Sequence, residues 1–402
     1  GTRKFRGARF GDALSPRFSG LLDQYGGAAA AYSLRALSSG WLAGDVVELR
    51  RSSDSTSDTF TAGQITGGQM LDFVNTPVWT SAVNATLDPY DTFTGTSISG
   101  FSATLAAGLG HGGFGGLTGT SGQTVSVSFD LVINGGSPAI ALRPSKSSAV
   151  ARSNSQVYAT SGSYTIDLVA TADFGFIGFS DTTVPCDFVV SNFEVTAITA
   201  DGFVSTWYDQ SGNANNATQA TTTKQPKIVS AGALVVGGLD FDGTDDSLGA
   251  NAVAASFTGT DQPLSAFAVG TVDVSKAHYL WTLGNSTNDT SFMGAGENSG
   301  PYRAIERDET ATLVNISGGT FSSESLVTYI TTGNQRELFA DGASIISDST
   351  NLAAKAFDQF QVGRLLRTTA AGYWNGKIST VVLYDSDQTA NRVGIEAIIN
   401  AL

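Results

Sequence analysis

The sequence has 402 residues, a formal net charge of −14, 47 glycines and only 14% charged residues. An acidic body repels phosphate backbones and anionic lipids, so neither nucleic acid nor a membrane surface is an expected partner. Cys186 and two histidines are too few for an intramolecular disulfide or a zinc site built from these residue types, and a single cysteine favours folding in a reducing cytoplasm.

The composition predicts an all-β protein. Glycine, Ser, Thr, Asn and Asp dominate it, and these residues accept positive φ or cap their own backbone in tight turns between short strands. A chain of this length is expected to hold two or three ordinary domains.

Residues 1–19 are predicted to form a basic N-terminal arm. Its basic residues are Arg3, Lys4, Arg6, Arg9 and Arg17. Against Asp12 they give residues 1–18 a charge of +4, which leaves −18 on the remainder. Two interpretations remain open: an arm that docks on an acidic protein surface, or a frayed and solvated terminus.

Residues 20–76 are predicted to begin the larger of two β-sandwiches. A helix is expected over Ala28–Leu37, where good helix formers cluster. "DVVELRRSSDSTSDTFTA" predicts two strands around a polar turn, and "ITGGQMLDFV" predicts a short helix with Met70, Leu71 and Phe73 facing inward.

Residues 77–200 show a different pattern, short alternating strands throughout. In "VSVSFDLVI", Val125, Val127, Phe129 and Leu131 share one face by the period of two. About eight such strands predict a complete small jelly-roll sandwich inserted into the larger one.

Residues 201–402 resume the larger sandwich. "STWYDQSGNANNATQA" is interpreted as the end of a core strand at Trp207 and Tyr208, followed by a turn over Asp209–Asn216, rather than as an active site. The chain closes with a predicted amphipathic helix, whose apolar stripe is Val393, Ile395, Ile398, Ile399 and Leu402.

The outer region resembles the concanavalin A-like, laminin-G-like jelly rolls. Three landmarks carry this resemblance: "YDQSGNANNATQ", "LDFDGTDDSL", and the late pair "RELFADGAS" and "YWNGKISTVVLYD" before the terminal helix. More specifically, "AAYSLRALSSGWLAGDVVELRRSSDST" followed by "STWYDQSGNANNATQA" is similar to the catalytic domain of the family 54 α-L-arabinofuranosidases. Together these likenesses cover about residues 20–75 and 200–402.

That family consists of retaining glycosidases, which need a nucleophilic carboxylate and an acid/base carboxyl group. The resemblance places the nucleophile in "YRAIERDETATL", at Glu306 or Glu309. The family's vicinal cysteine platform is absent after His278 and Tyr279, and Gly363 leads to Arg364 instead of the acid/base aspartate. These departures predict that hydrolysis by this mechanism is lost.

The inserted block resembles the jelly-roll carbohydrate-binding modules of bacteriophage fibres and bacterial polysaccharidases. Its signatures are "PVWTSAVNATL", "GQTVSVSFDLVI", "GSYTIDLVAT" and "FVVSNFEVTAI". Catalytically inactive sandwich pairs of this composition look like virion proteins of tailed phages, which decorate the head or build tail appendages.

Candidate saccharide-binding residues are aromatic side chains with polar neighbours. In the insert they are Trp79, Tyr90 and Arg143, although Trp79 is also expected to pack beneath the sandwich. In the outer domain, the place of the family's sugar pocket holds Trp281, Tyr302, Arg303 and Arg364.

The resemblance to laminin-G-like folds implies a candidate calcium site, because such folds often hold calcium at the rim with oxygen ligands. The candidate ligands are Asp209, Asn213, Asp242 and Asp245, with Asp246 beside them. Asx-turn geometry explains the same residues without a metal, and no cofactor is the expectation.

The sequence thus predicts a non-enzymatic phage virion structural protein, a head decoration, fibre or tail appendage that binds glycans or a host-surface polysaccharide. Other virion proteins would bind its N-terminal arm, and a homo-oligomer on the virion surface is expected after assembly in the host cytoplasm. The alternative is an arabinofuranosidase-like glycoside hydrolase acting on a polysaccharide.

Overall fold

The computed structural model describes residues 19–53, 55–75, 81–83, 92–97, 100–105, 111–119, 121–144, 150–180, 185–260, 262–321 and 323–402. For residues 81–83, 92–97, 100–105, 111–118 and 196–198 the backbone alone is described. No helix in these ranges has the length and apolar character needed to cross a bilayer.

The predicted all-β fold is confirmed, since strands dominate the described residues. The strands before residue 80 are β1 (Ala30–Ser33), β2 (Asp45–Arg51) and β3 (Ser57–Thr61). The next ten are β4 (Ser81–Val83), β5 (Thr92–Ser97), β6 (Gly100–Leu105), β7 (His111–Gly119), β8 (Thr124–Gly135), β9 (Ala139–Arg143), β10 (Gln156–Val157), β11 (Gly162–Val169), β12 (Phe174–Ser180) and β13 (Cys186–Ile198).

The remaining strands follow residue 200. They are β14 (Gly202–Trp207), β15 (Ala217–Thr218), β16 (Lys227–Ser230), β17 (Ala233–Leu234), β18 (Leu239–Asp242), β19 (Leu248–Gly249), β20 (Leu264–Gly270), β21 (Ala277–Gly284), β22 (Phe292–Asn298), β23 (Tyr302–Arg307), β24 (Leu313–Gly318), β25 (Ser325–Thr332), β26 (Gln335–Ala340), β27 (Ala343–Asp348), β28 (Gln359–Val362), β29 (Leu365–Leu366), β30 (Ala370–Ala371) and β31 (Asn375–Tyr384).

The helices of the described chain are short. They are α1 (Leu21–Gln24), α2 (Ala62–Thr66), α3 (Gln69–Asn75) and α4 (Arg392–Ile399), with 3₁₀ turns at Ser39–Trp41, Thr222–Lys224 and Asn251–Phe257. The predicted terminal helix is confirmed as α4, which buries Ile395 and Ile399. Val393 is 67% exposed and does not belong to its buried stripe.

The larger sandwich has two layers. The first, hereafter the ten-strand layer, has the spatial order β24-β23-β22-β21-β28-β19-β15-β14-β2-β3. The second runs β27-β26-β25-β20-β31, and β1 and β18 both pair with β31. Strand β16 pairs with β14 and β18 and so joins the layers.

The outer faces of these two layers differ. Leu21 of α1 and Ile395 and Ile399 of α4 form one cluster with Phe267 and Val382, so the helices cover the outer face of the second layer. The outer face of the ten-strand layer carries no such helical cover among the described residues, although Leu365 of β29 packs there on Tyr279, Phe292 and Ile305.

The strands between residues 81 and 198 form two five-stranded sheets. Their orders are β10-β9-β12-β7-β4 and β11-β8-β13-β6-β5. The predicted inward residues Val125, Val127, Phe129 and Leu131 alternate with more exposed neighbours along β8, as expected. They pack in a hydrophobic cluster made up of residues 125–195.

The helix predicted over Ala28–Leu37 is wrong. Ala30–Ser33 form β1 instead, which pairs antiparallel with β31 from Ala30 opposite Leu383 to Ser33 opposite Thr380. Both faces of this strand are buried, because Ala30 and Tyr32 lie in the main core while Ala31 packs under the helices. Tertiary burial therefore overrides the helix propensity of the alanine run.

A buried carboxylate holds β1 in place. The Asp209 side chain is 1% exposed. Its Oδ1 accepts the backbone N–H groups of Ala31 (2.8 Å) and Ser211 (2.9 Å), and its Oδ2 accepts Ser211 Oγ (2.7 Å) and the Asn215 N–H (2.9 Å). A single side chain thus folds the loop after β14 and fastens it to β1.

The neighbouring glutamine extends this attachment. Gln210 accepts the Leu37 N–H on Oε1 (2.8 Å) and donates from Nε2 to the carbonyl oxygens of Ser33 and Arg35 (2.9 Å each). Asn213 Nδ2 donates to the Ala28 carbonyl oxygen at 3.0 Å. The stretch was predicted to be a strand end at Trp207 and Tyr208 followed by a turn; β14 ends at Trp207, Tyr208 lies just beyond it, and the turn follows.

Replacement of Asp209 by alanine is expected to lower the free energy of unfolding by about 3 kcal/mol, because it leaves buried N–H donors without an acceptor. Urea denaturation measures this change. Asp58→Ala is the matched control, since exposed Asp58 accepts the N–H of the adjacent Thr59 and no other donor among the described residues, and it should change stability by less than about 0.5 kcal/mol. Equal effects of the two substitutions would contradict the structural role of Asp209.

Candidate functional site

The outer face of the ten-strand layer carries a row of residues at paired positions on neighbouring strands. In spatial order the row is Glu48, Thr206, Thr218, Gly249, Gln361 and Thr282. Their sequence neighbours, such as Trp207, Ala217 and Leu248, lie in the core. By the period of two, the members of the row point away from the core.

A polar cleft of about 430 Å³ opens on this row. Six amide side chains line it: Asn215, Asn216, Gln219, Asn251, Gln359 and Gln361. The Arg364 guanidinium and Thr218 join them. None of the described residues around the cleft has a carboxyl group. Amides offer both a donor and an acceptor, so the cleft suits a hydroxyl-rich surface.

The middle of the cleft is organised by Gln361, which is 3% exposed. Its Nε2 donates to Asn251 Oδ1 (3.2 Å), and its Oε1 accepts Arg364 Nε (3.0 Å). Gly249 leaves the space for it, because a Cβ at that position would lie 2.8 Å from Gln361 Nε2. A side chain at position 249 would therefore displace the Gln361 amide.

A carboxylate patch lies at the other end of the row. Thr206 Oγ1 donates to Glu48 Oε2 (2.9 Å), and Trp41 Nε1 donates to the Asp45 carbonyl oxygen (3.1 Å). Burial, together with the charges of Glu48 and Asp45, raises the pKa of Tyr208, so its phenol stays protonated. The Glu48 and Asp45 carboxylates thus both lie close enough to the Tyr208 phenol for their charges to act on it.

A β-bulge places Asp45 and Glu48 on the same face of β2. Asp45 and Glu48 are three residues apart, which in a regular strand puts side chains on opposite faces. The register of β2 against β3 shifts between Asp45 and Val47, and both Val46 and Val47 turn into the core. One extra residue on the core side leaves Asp45 on the same face as Glu48.

The predicted catalytic glutamates lie elsewhere. Glu306 points between the two layers and is 0% exposed. Its carboxylate accepts Arg336 Nε (2.8 Å), Lys355 Nζ (3.2 Å) and Tyr329 OH (2.7 Å). Glu309 is exposed on the turn after β23. Neither residue lines the cleft.

Of the outer-domain saccharide candidates, the structure places Arg364 alone in the cleft lining. Trp281 is 0% exposed and lies in the core, so it presents no face for stacking. Tyr302 is also buried there, with its hydroxyl 2.8 Å from Ser325 Oγ. The Arg303 guanidinium lies over the Tyr279 ring, 5.3 Å from its centroid.

Of the three saccharide candidates in the insert, the structure describes Arg143. Trp79 and Tyr90 lie outside the described residues. Arg143 is buried, and its Nη2 donates to Ser180 Oγ at 2.9 Å.

The calcium candidates separate into two groups. The Asp209 carboxylate and the Asn213 amide are hydrogen-bonded within the protein, to Ala31 and Ser211 and to Ala28 respectively. Asp242, Asp245 and Asp246 have carboxylate oxygens within 4.8 Å of one another and are the described residues that could hold a cation. Asp242 Oδ1 also accepts the Thr244 N–H (2.7 Å), which is the Asx turn of the alternative interpretation.

His278 is structural in this fold. Its Nδ1 accepts the Asn375 N–H (3.0 Å), so the neutral ring carries its proton on Nε2, which donates to Glu297 Oε2 (2.6 Å). Burial lowers the pKa of His278 to about 4. The ring stacks on Trp374, which lies in the core.

No protein-family model and no curated protein matches this chain. Solved structures share parts of its fold. An arabinofuranosidase in complex with arabinofuranosyl-α-1,2-xylobiose is 13% identical over 94% of this chain and 64% of its own, with a TM-score of 0.48. A Trypanosoma rangeli sialidase in complex with 2,3-difluorosialic acid is 14% identical over 49% of this chain and 31% of its own, with a TM-score of 0.38.

A leech intramolecular trans-sialidase is 15% identical over 35% of this chain and 23% of its own, with a TM-score of 0.31. The chain therefore spans less than a third of the length of these sialidases. These likenesses concern the β fold alone and assign no activity to this chain.

These findings correct the expectation of a non-enzymatic virion protein. The matched structures are glycosidases, which agrees with the alternative, a glycoside hydrolase, better than with a protein that has no enzymatic activity. Nothing in them points to a phage. The virion location, the partners of the N-terminal arm and the homo-oligomer stay untested predictions.

Asp246→Asn is expected to gain stability relative to the unmodified protein as the pH rises from about 4 to about 7. Burial first, and then the charges of Asp242 and Asp245, raise the pKa of Asp246 to about 7, against an ordinary 3.8. Between these values the folded state binds more protons than the unfolded state, so the native aspartate loses stability as pH rises. The asparagine does not titrate.

Thermal unfolding of both proteins from pH 4 to pH 8, in buffer with a calcium chelator, measures this difference. Asp58→Asn, at an exposed carboxylate, is the control variant. A melting-temperature difference for Asp246→Asn that does not change with pH would contradict the raised pKa.

Proposed function

We propose that this protein is a glycoside hydrolase whose polysaccharide substrate lies across the outer face of the ten-strand layer. The observation that carries the proposal is the row that links the Glu48 carboxylate to the amide-lined cleft. The cleft binds sugar hydroxyls, and Asp45 and Glu48 supply the carboxyl groups for cleavage.

The cleft has the chemistry of a sugar subsite. Sugar hydroxyls both donate and accept hydrogen bonds, and the side chains of Asn216, Asn251 and Gln359 in the cleft lining can do the same. Gln361 and Asn251 are already held by each other, so part of the binding surface is ordered before the ligand arrives. Preorganisation of this kind lowers the entropy cost of binding.

The carboxylate patch has the chemistry of a cleavage site. Glycosidases pair a carboxyl group that protonates the leaving oxygen with a carboxylate that attacks the anomeric carbon or activates water. Asp45 and Glu48 are such a pair, on the same face of β2 and beside Tyr208. The ring of half-buried Trp41 gives this end an apolar surface for a sugar face.

The spacing of the two parts favours a chain over a single sugar. Strands lie about 4.8 Å apart, so Glu48 and Gln361, four strands apart along the row, are separated by roughly 19 Å. A substrate that touches both ends is an oligosaccharide or polysaccharide. The resemblance to the family 54 enzymes makes arabinose-containing polysaccharides the first substrates to test.

Glu48→Gln is expected to lower kcat by about 10²- to 10⁴-fold, the usual contribution of a general acid or base. The glutamine keeps the size of the side chain and a hydrogen bond to Thr206, so the fold should be retained. Reducing-sugar release from arabinan and arabinoxylan, and turnover of p-nitrophenyl α-L-arabinofuranoside, measure the change.

Glu309→Gln is the matched control, because Glu309 is an exposed carboxylate outside the cleft, and its kcat should be unchanged. Full activity of Glu48→Gln, loss of activity in Glu309→Gln, or no hydrolysis of any polysaccharide by the unmodified protein would contradict the proposal.

A further inference from the structure

We infer that the cleft takes a saccharide that carries a carboxylate, such as a uronic acid, and that the Arg364 guanidinium binds this group. This inference rests on the proposed function, since it names the substrate class of the same cleft. It goes beyond that function, because neutral polysaccharides satisfy the amide lining equally well.

A hydrogen bond holds the Arg364 guanidinium at its Nε atom. Its Nε donates to Gln361 Oε1 (3.0 Å), and its backbone carbonyl oxygen accepts Thr282 Oγ1 (2.8 Å). The two terminal nitrogens have no partner among the described residues. A guanidinium fixed at Nε presents its two terminal nitrogens as a planar pair, which matches the two oxygens of a carboxylate.

The orientation of this guanidinium is built into the fold. Gln361 is almost fully buried, and its amide is tied to Asn251 on one side and to Arg364 on the other. Gly249 provides the space in which Gln361 lies. Three elements, β19, β28 and the 3₁₀ turn at Asn251–Phe257, therefore determine where the guanidinium points.

The charge on Arg364 has no carboxylate partner among the described residues, unlike the charges on Arg336 and Arg392. Arg336 pairs with Glu306, and Arg392 pairs with Glu396. Around the cleft, by contrast, none of the described lining residues carries a carboxyl group. A protein of net charge −14 thus presents a positive group in a polar depression, where an anionic ligand can supply the missing charge.

A carboxylate fits better than a phosphate. The cleft has one guanidinium, which balances one negative charge, whereas a phosphate monoester carries about −1.5 to −2 at neutral pH. The six amides also present acceptor oxygens, which favour sugar hydroxyls over further anionic oxygens. One carboxylate on a polyhydroxylated ring satisfies both features.

The test is a titration of the full chain, with Glu48→Gln introduced to prevent turnover, against two matched arabinose-containing oligosaccharides. One carries a glucuronic acid substituent, and the other is the same compound with its carboxyl group reduced to the alcohol. The acidic ligand should bind about 10-fold to 100-fold more tightly, as a hydrogen-bonded charge pair contributes. The advantage should shrink as salt is raised.

Variants assign this preference to Arg364. Arg364→Gln should abolish it while the reduced ligand binds as before, and Arg364→Lys should keep part of it, because a lysine keeps the charge without the planar pair. Gly249→Ala should weaken binding of the acidic ligand by displacing Gln361. Arg303→Gln, an arginine outside the cleft lining, is the control and should keep the preference, and melting temperatures confirm that each variant is folded.

Each other outcome overturns the inference. Equal binding of the two ligands rejects it and leaves the proposed hydrolase standing if neutral substrates are cleaved. Competition by inorganic phosphate as strong as by glucuronate would show a general anion site. Failure of both ligands to bind, with no hydrolysis by the unmodified protein, would reject the proposed function together with the inference.

Discussion

The buried carboxylate of Asp209 is the contact on which the arrangement of the site depends. It accepts four hydrogen bonds, and one of them comes from Ala31 in β1, far away in sequence. β1 lies against β31 of the second layer, whereas Asp209 follows β14 of the ten-strand layer. One side chain thus connects the two layers and also sets the position of Asn215 and Asn216 at the rim of the cleft.

The two layers divide the tasks of stability and binding. The second layer is covered by α1 and α4, while the ten-strand layer leaves its outer face for a ligand. Between the layers, the buried Glu306 carboxylate is paired with Arg336 and Lys355. A buried pair of this kind tolerates the loss of one partner poorly, because the remaining charge would be uncompensated. A carboxylate held in this way cannot reach a substrate on the outer face.

Part of the candidate site could be predicted from the sequence, and part could not. Arg364 was selected by its place in the family resemblance, and the structure brings it to the cleft. Asp45 and Glu48 were missed because their spacing of three residues predicts opposite faces, and a bulge reverses that. Trp281 was selected for its aromatic ring, but the strand pattern around it does not state which face is buried. Neither the position of the bulge nor the choice of buried face can be recognised from the local sequence.

The sequence by itself determined the class of the fold and the strand that ends at Trp207. Alternating apolar residues and frequent Gly, Asn and Asp turns are local properties, and they are sufficient for strands and turns. The tertiary structure decided that Ala30–Ser33 is a strand, that Glu306 is an internal ion pair, and that Glu48 shares a surface with Gln361. These outcomes depend on pairing between segments more than 150 residues apart in the chain or on burial between layers, and neither is encoded in any single short stretch.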